Sequence, residues 1–168
     1  MLLVEHILGL ANVPPGAVQF FLYVQISCFL CVSNELSGLA FMPLDWTRGN
    51  LREGLRCFHS GAFFEAHEHW EAVWLAAQEP EKTLLQALIQ VAASFHHLRR
   101  GNRAGTISLL HSARGRLDRY PEVFAGVVVA PLRVAIRSWL EALENAPHST
   151  LPPIPSITLA GSEFRNGL

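Results

Sequence analysis

Between Thr83 and Leu98, sixteen consecutive residues carry no charged side chain. Leu84, Leu88, Val91, Phe95 and Leu98 recur on one face at helical spacing, with Pro80 where a helix would begin and Gly101 where it would end. A helix with a solvated face normally carries Lys or Glu on it, so this one is expected at the centre of its fold. It is too short to cross a bilayer, and too polar with two Gln and two His. The remaining segments must cover it.

They have the pattern to do so. Residues 50–59 place Leu51, Leu55 and Phe58 on one face, and Gly61 follows as a C-terminal cap. Residues 62–77 (AFFEAHEHWEAVWLAA) align Phe63, Ala66, Trp70, Val73, Trp74 and Ala77. A fourth helix over about 102–119 aligns Ile107, Leu110, Leu117 and Tyr120 before Pro121. Pro131 opens a fifth, with Leu132, Ile136, Trp139 and Leu143. Only the valines at 127–129 suggest a strand. The tail from Pro147, with its LPPIP run, reads as an extended strap or a loose end. The expected fold is all-α: a single bundle of about five helices over residues 42–146, with a Pro-rich strap over 147–168.

Composition enters through its distribution. Half of the 168 residues are hydrophobic and 16% are charged, with a formal net charge of −1. These values exclude a disordered chain and a generally basic nucleic-acid binder. Residues 1–41 hold two acidic groups, Glu5 and Glu35, and no Lys or Arg. Within them, residues 16–33 form an apolar run of the minimum length for a membrane anchor. Arg48, Arg52 and Arg56 would then keep the following domain in the cytoplasm. The competing expectation is a start at Met42, with residues 1–41 as upstream sequence and a cytoplasmic protein. Cys28 and Cys31 in that run read as small hydrophobes, and Cys57 as a core thiol.

Two helices carry polar groups that a plain bundle would not need. His67, Glu68 and Glu71 share an arc beside the apolar stripe of the second helix, together with Phe64 and Leu75. Carboxylates flanked by large apolar side chains are expected to be partly buried, and a buried carboxylate needs donors. On the third helix Gln86, Gln90 and His97 fall on one stripe, so the two sets are expected to face each other across an antiparallel pair. His96 lies on a more apolar arc and reads as a packed core histidine. If Glu68 is buried and paired, Glu68→Ala should cost a few kcal/mol.

Three kinds of chemistry fit such a constellation: a polar network that sets helix register, a pocket for a ligand or partner, or a metal or acid–base site using His67, Glu68, Glu71 and His97. The order His67-Glu68-His69-Trp70-Glu71 misses the zincin pattern His-Glu-x-x-His, because Glu71 stands where the second His belongs. The Glu-x-x-His pairs of di-iron bundles are absent as well. Arg99, Arg100 and Arg103, with Arg114, Arg116 and Arg119, read as solvated helix ends and not as a nucleic-acid patch, since no aromatic platform accompanies them. Glycine-rich phosphate loops and a G-x-S-x-G elbow are missing.

The run FHSGAFFEAHEHWEAVW at 58–74, then QALIQVAASFHH at 86–97 and Gly101-Asn102, resembles the domain of unknown function 309 family. Its signature reads approximately F-N-x-G-x-[FY]-[FW]-E-x-H-E-x-x-E-x-x-W, and His59 stands here where the family more often has Asn. The resemblance covers roughly Leu51–Leu143. It implies a small helical bundle of no established activity and singles out Gly61, Glu65, His67, Glu68, Glu71 and Trp74, with Gln86, Gln90 and His97. The expected function is a non-catalytic module binding a ligand or partner through a Glu/His/Gln network, and the alternative is a metal-dependent or acid–base enzyme. No cofactor is required, although a divalent metal is compatible with these residues. No nucleic acid is expected as a partner, a homo-oligomer is compatible, and a membrane enters only through the leader.

Overall fold

The computed structural model describes residues 44–145 and 150–161. Elements follow in the order α1 (Gly49–Ser60), α2 (Phe63–Trp74), α3 (Glu81–Arg99), α4 (Arg103–Leu117), β1 (Val123–Phe124), β2 (Val127–Val128) and α5 (Val129–Asn145). The expectations for residues 1–41, the bilayer-length run and the Cys28/Cys31 pair included, lie outside the described residues. Among the described residues, no helix is long and apolar enough to cross a membrane.

The uncharged run becomes the centre of an all-α bundle. From Leu84 to Phe95 every α3 residue except Gln86 is buried. This helix packs against both α2 and α4, while α1 covers α2 and α5 covers α4. Removing that much apolar surface from water is the main force holding the five helices together. Ring contacts give the α2–α3 register. Phe63 meets Phe95 with ring centroids 5.4 Å apart, and Phe64 meets His96 at 5.4 Å, so the start of α2 lies on the end of α3. At the opposite end, Lys82 Nζ sits 4.9 Å from the centroid of the Trp74 ring. The pair is therefore antiparallel, as expected.

Phe58 of α1 and Trp139 of α5 extend the same aromatic cluster, the first against Phe63 and Trp70 and the second against Phe95 at 5.1 Å. Trp70 is fully buried and donates its indole N–H to the Leu51 carbonyl at 3.3 Å. Cys57 is a buried free thiol in this core, as its place in the first helix predicts.

Both helix ends marked by glycine close as expected. At the end of α1, Gly61 adopts φ 82°, while its N–H and that of Ala62 return to the carbonyls of Phe58 and Cys57. At the end of α3, Gly101 adopts φ 73°, and its N–H and that of Asn102 return to Leu98 and His97. This double closure satisfies the last carbonyls of a helix and needs a residue that tolerates the left-handed region.

The region after α4 differs from the sequence expectation. The valines contribute to a two-residue hairpin pairing Val123 with Val128 and Phe124 with Val127. Its turn holds Ala125 and Gly126 at positive φ, and Trp46 donates its indole N–H to the Ala125 carbonyl at 2.7 Å. α5 begins at Val129, two residues before Pro131. The N–H groups of Val129 and Ala130 both reach the Glu122 carbonyl, so the hairpin itself starts the helix. Pro131 then falls within the first turn, where its missing N–H costs nothing.

Within the tail, the described residues 150–161 form a strap. Trp139 donates its indole N–H to the Pro153 carbonyl at 3.0 Å, Ile157 is buried, and Val128 N–H bonds the Thr158 carbonyl at 2.9 Å. Several of the arginines serve as fixed donors. Arg99 reaches the Gly61 carbonyl, Arg103 the Leu143 carbonyl, and Arg116 bonds both Gln90 Oε1 and the Ser112 carbonyl.

Candidate functional site

The turn at Gly61 aims α2. Its carbonyl is held by Arg99 at the end of α3, and that guanidinium also lies 4.6 Å from the centroid of the Phe63 ring. The first turn of α2 is thereby locked to the last turn of α3, with Phe63 inside and Phe64 outside.

One turn further, His67 is buried with a side-chain exposure of 2%. Its Nδ1 lies 3.3 Å from Glu68 Oε1 and its Nε2 3.9 Å from Glu71 Oε2. The Phe64 ring stacks over the imidazole, with centroids 6.1 Å apart and planes 26° from parallel. Burial lowers the His67 pKa, against the pull of Glu68 in the other direction. Burial also raises that of Glu71, and the neighbouring Glu68 carboxylate adds to the rise. A neutral imidazole presents one N–H, and the shorter approach to Glu68 suits donation from Nδ1. One donor atom from each of His67, Glu68 and Glu71 can be chosen so that all lie within 4.8 Å of one another. Mixed imidazole and carboxylate donors of this kind suit divalent transition metals.

The second helix therefore gathers three of the expected residues, but the apolar flanks do not bury them. Glu68 is 55% exposed and Glu71 25%, while Phe64 and Leu75 lie open at 42% and 61%. Glu68 is therefore exposed and not buried as expected, although it keeps His67 as a partner, because among the described residues no element covers its carboxylate.

Nor do the α3 residues face this cluster. Phe95 and His96 meet Phe63 and Phe64, so the side of α3 turned to α2 runs through them, and Gln90 and His97 fall off it. Gln90 accepts instead from Arg116 of α4 at 3.2 Å. Gln86, one turn earlier on the same stripe, is half-buried. His97 is buried against Asn102, which precedes α4, and its Nδ1 lies 2.9 Å from Asn102 Nδ2. His96, expected in the core, is half-buried beside Phe64, and its charge acts on His67. Glu65 is exposed, and its charge acts on His96. Trp74 is buried under Lys82, and among the described residues its indole N–H meets no hydrogen-bond partner.

Sequence reasoning missed His96 as a neighbour of the site and misplaced His97. The usable signal was the adjacency of two aromatic pairs, Phe63-Phe64 and Phe95-His96, each offering one ring inward and one to the side.

Comparison with known proteins supports the motif. The model of the family described as "Domain of unknown function (DUF309)" matches residues 51–109. An uncharacterized protein of Aquifex aeolicus (strain VF5) is 27% identical over 95 residues, which cover 56% of this chain and 28% of that protein. This chain thus matches less than a third of the length of that relative. From α1 into α4, the segment that builds the site, the resemblance to the DUF309 family is borne out.

Proposed function

We propose that this chain is a non-catalytic, cytoplasmic binding module that takes a cationic group of a ligand or partner on the open arc of α2. The observation that carries the reading is the pairing of Glu68 and Glu71 beside a buried imidazole. Among the described residues, neither carboxylate forms an ion pair with Lys or Arg. Two carboxylates this close repel each other, and a docked cation relieves that repulsion. His67 supports the pair from behind, and its buried ring fixes the geometry without itself contributing a cation.

A metal-dependent or acid–base site is the second reading, favoured by the convergence of the three donor atoms within 4.8 Å. His97 drops out of that donor set, since Asn102 engages it elsewhere.

Methylguanidinium and n-butylammonium, titrated into labelled protein and followed by NMR, test the module. Shifts centred on Glu68 and Glu71, and lost in the Glu68→Gln/Glu71→Gln double variant, are expected. Shifts scattered over the surface would refute it. Metal analysis of protein purified without a His tag separates the second reading: stoichiometric zinc, iron or manganese, lost in Glu68→Ala and Glu71→Ala, would establish the metal site in its place.

A further inference from the structure

Phe64, Glu68, Glu71 and Leu75 follow one another at intervals of four, three and four residues. That is the spacing of the contact seam in a two-helix coiled coil. Leu75 keeps helical dihedrals (φ −56°, ψ −37°) just past the end of α2, so the seam runs without a break. At a rise of about 1.5 Å per residue, its two apolar ends stand roughly 16 Å apart. All four residues reach solvent. The two ends are the large exposed apolar side chains of this helix, and the centre is acidic. Phe64 is held in place by stacking on His67 and by the His96 ring at 5.4 Å, so its ring is ordered before anything binds.

Resting on the cation-binding reading above, we infer that this seam docks a basic amphipathic helix of a partner protein, with Phe64 and Leu75 as apolar anchors and Glu68 and Glu71 accepting two Lys or Arg side chains. Charge complementarity selects the occupant. A second copy laid antiparallel along the same seam would set Glu68 against Glu71 of its twin, a like-charge contact that disfavours association. Residues 1–41 contain no Lys or Arg to pair with the acidic centre. A helix with two apolar residues at the ends of a heptad-spaced stripe and two basic ones between them satisfies every position. Because the four–three–four spacing reads the same in both directions, either orientation fits.

The test uses a designed alanine-based helix with leucines at the ends of such a stripe and lysines between, labelled and titrated with the full chain by fluorescence anisotropy. Two controls accompany it: a peptide of the same composition with the leucines moved off the stripe, and one with glutamates in place of the lysines. The stripe peptide is expected to bind at least about tenfold more tightly than either control, the scale of losing one interface anchor. Leu75→Ser and Phe64→Ser should each remove most of that difference, and Leu75, at 61% exposure, can change without disturbing the core. In Glu68→Lys/Glu71→Lys the preference should pass to the glutamate peptide. Equal binding of both lysine peptides, with Glu68 and Glu71 still required, would overturn the seam and leave the cation-binding reading standing. Binding of neither lysine peptide, with methylguanidinium still shifting Glu68 and Glu71, would do the same. Failure of both peptides and of methylguanidinium would overturn both.

Discussion

Asn102 donates to His97 Nδ1 through its side-chain amide at 2.9 Å while its Oδ1 accepts the N–H of Gly105 at 2.8 Å. The second bond fixes which end of the amide is the oxygen, so the first requires His97 to be neutral, with its proton on Nε2. One side chain thus caps α4 and selects the tautomer of a buried histidine on α3. Asn102→Ala should lose both bonds and cost about 2 kcal/mol in urea denaturation. Asn102→Asp keeps the cap but offers His97 only acceptors. The His97 pKa, read by NMR, should then rise by on the order of 1 unit. An unchanged value in the Asp variant would show that the tautomer is set elsewhere.

The same bond gives the protein a pH dependence. Burial lowers the His97 pKa below the ordinary 6.5, and the charges of His96 and Arg100 push it the same way. The unfolded chain therefore takes up this proton first. The contribution of His97 to stability is complete above the unfolded value and declines as pH falls through it toward the folded one. His67 and His96, both lowered by burial, act in the same direction. Melting temperature should fall between about pH 7.5 and about pH 5.5, and the loss should be smaller in His97→Gln. A flat profile would mean that these rings charge without breaking their contacts.

Gly54 lies against the indole of Trp70, and a Cβ there would overlap the ring atoms Nε1 and Cδ1. Trp70 is fully buried between α1 and α3 and cannot retreat. Gly54→Ala gains up to about 1 kcal/mol of helix propensity but meets an overpacking cost of about 1–3 kcal/mol, so net destabilisation is expected. Gly115 on α4 is the control, since a Cβ there has nothing within 4 Å. Gly115→Ala should stabilise by about 0.5–1 kcal/mol. Equal effects at both positions, measured by urea midpoints, would contradict the close approach to Trp70.

What could be read from the sequence follows from what helical spacing encodes. An uncharged run marks burial, so α3 was legible as the central helix, and the caps at Gly61 and Gly101 were legible because few residues other than glycine close a helix this way. Spacing also groups residues on an arc, which is why His67, Glu68 and Glu71 emerged together. It does not say which neighbour an arc meets. Gln90 and His97 share a stripe, but Arg116 and Asn102 of the α4 segment claimed them. Phe64 and Leu75 were expected to flank and partly bury the carboxylates for the same reason, yet both side chains are themselves exposed. The start of α5 was hidden because two backbone bonds to Glu122 decide it, and backbone bonds leave no mark in side-chain pattern.

Exposure reverses the expected energetics of the acidic pair. Glu68, at 55% exposure, has little to lose, and Glu68→Ala should change stability by no more than about 0.5 kcal/mol. His67→Ala, which empties a buried site under Phe64, should cost about 2 kcal/mol or more. Glu71 is the informative member. Its pKa is raised by burial and by Glu68, so in the native state its charged form is disfavoured. Its stabilising contribution is complete below the unfolded value near 4.5 and is lost as pH rises through the folded value. Glu71→Gln removes that loss. The variant should be modestly more stable than the parent at neutral pH, and the gain should vanish in acid, where Glu71 of the parent is itself protonated. Urea midpoints at the two pH values measure this directly. A loss of stability at neutral pH would instead show the Glu71 carboxylate held as a satisfied anion within the fold, and the open arc of α2 would then have no need of a cation from outside.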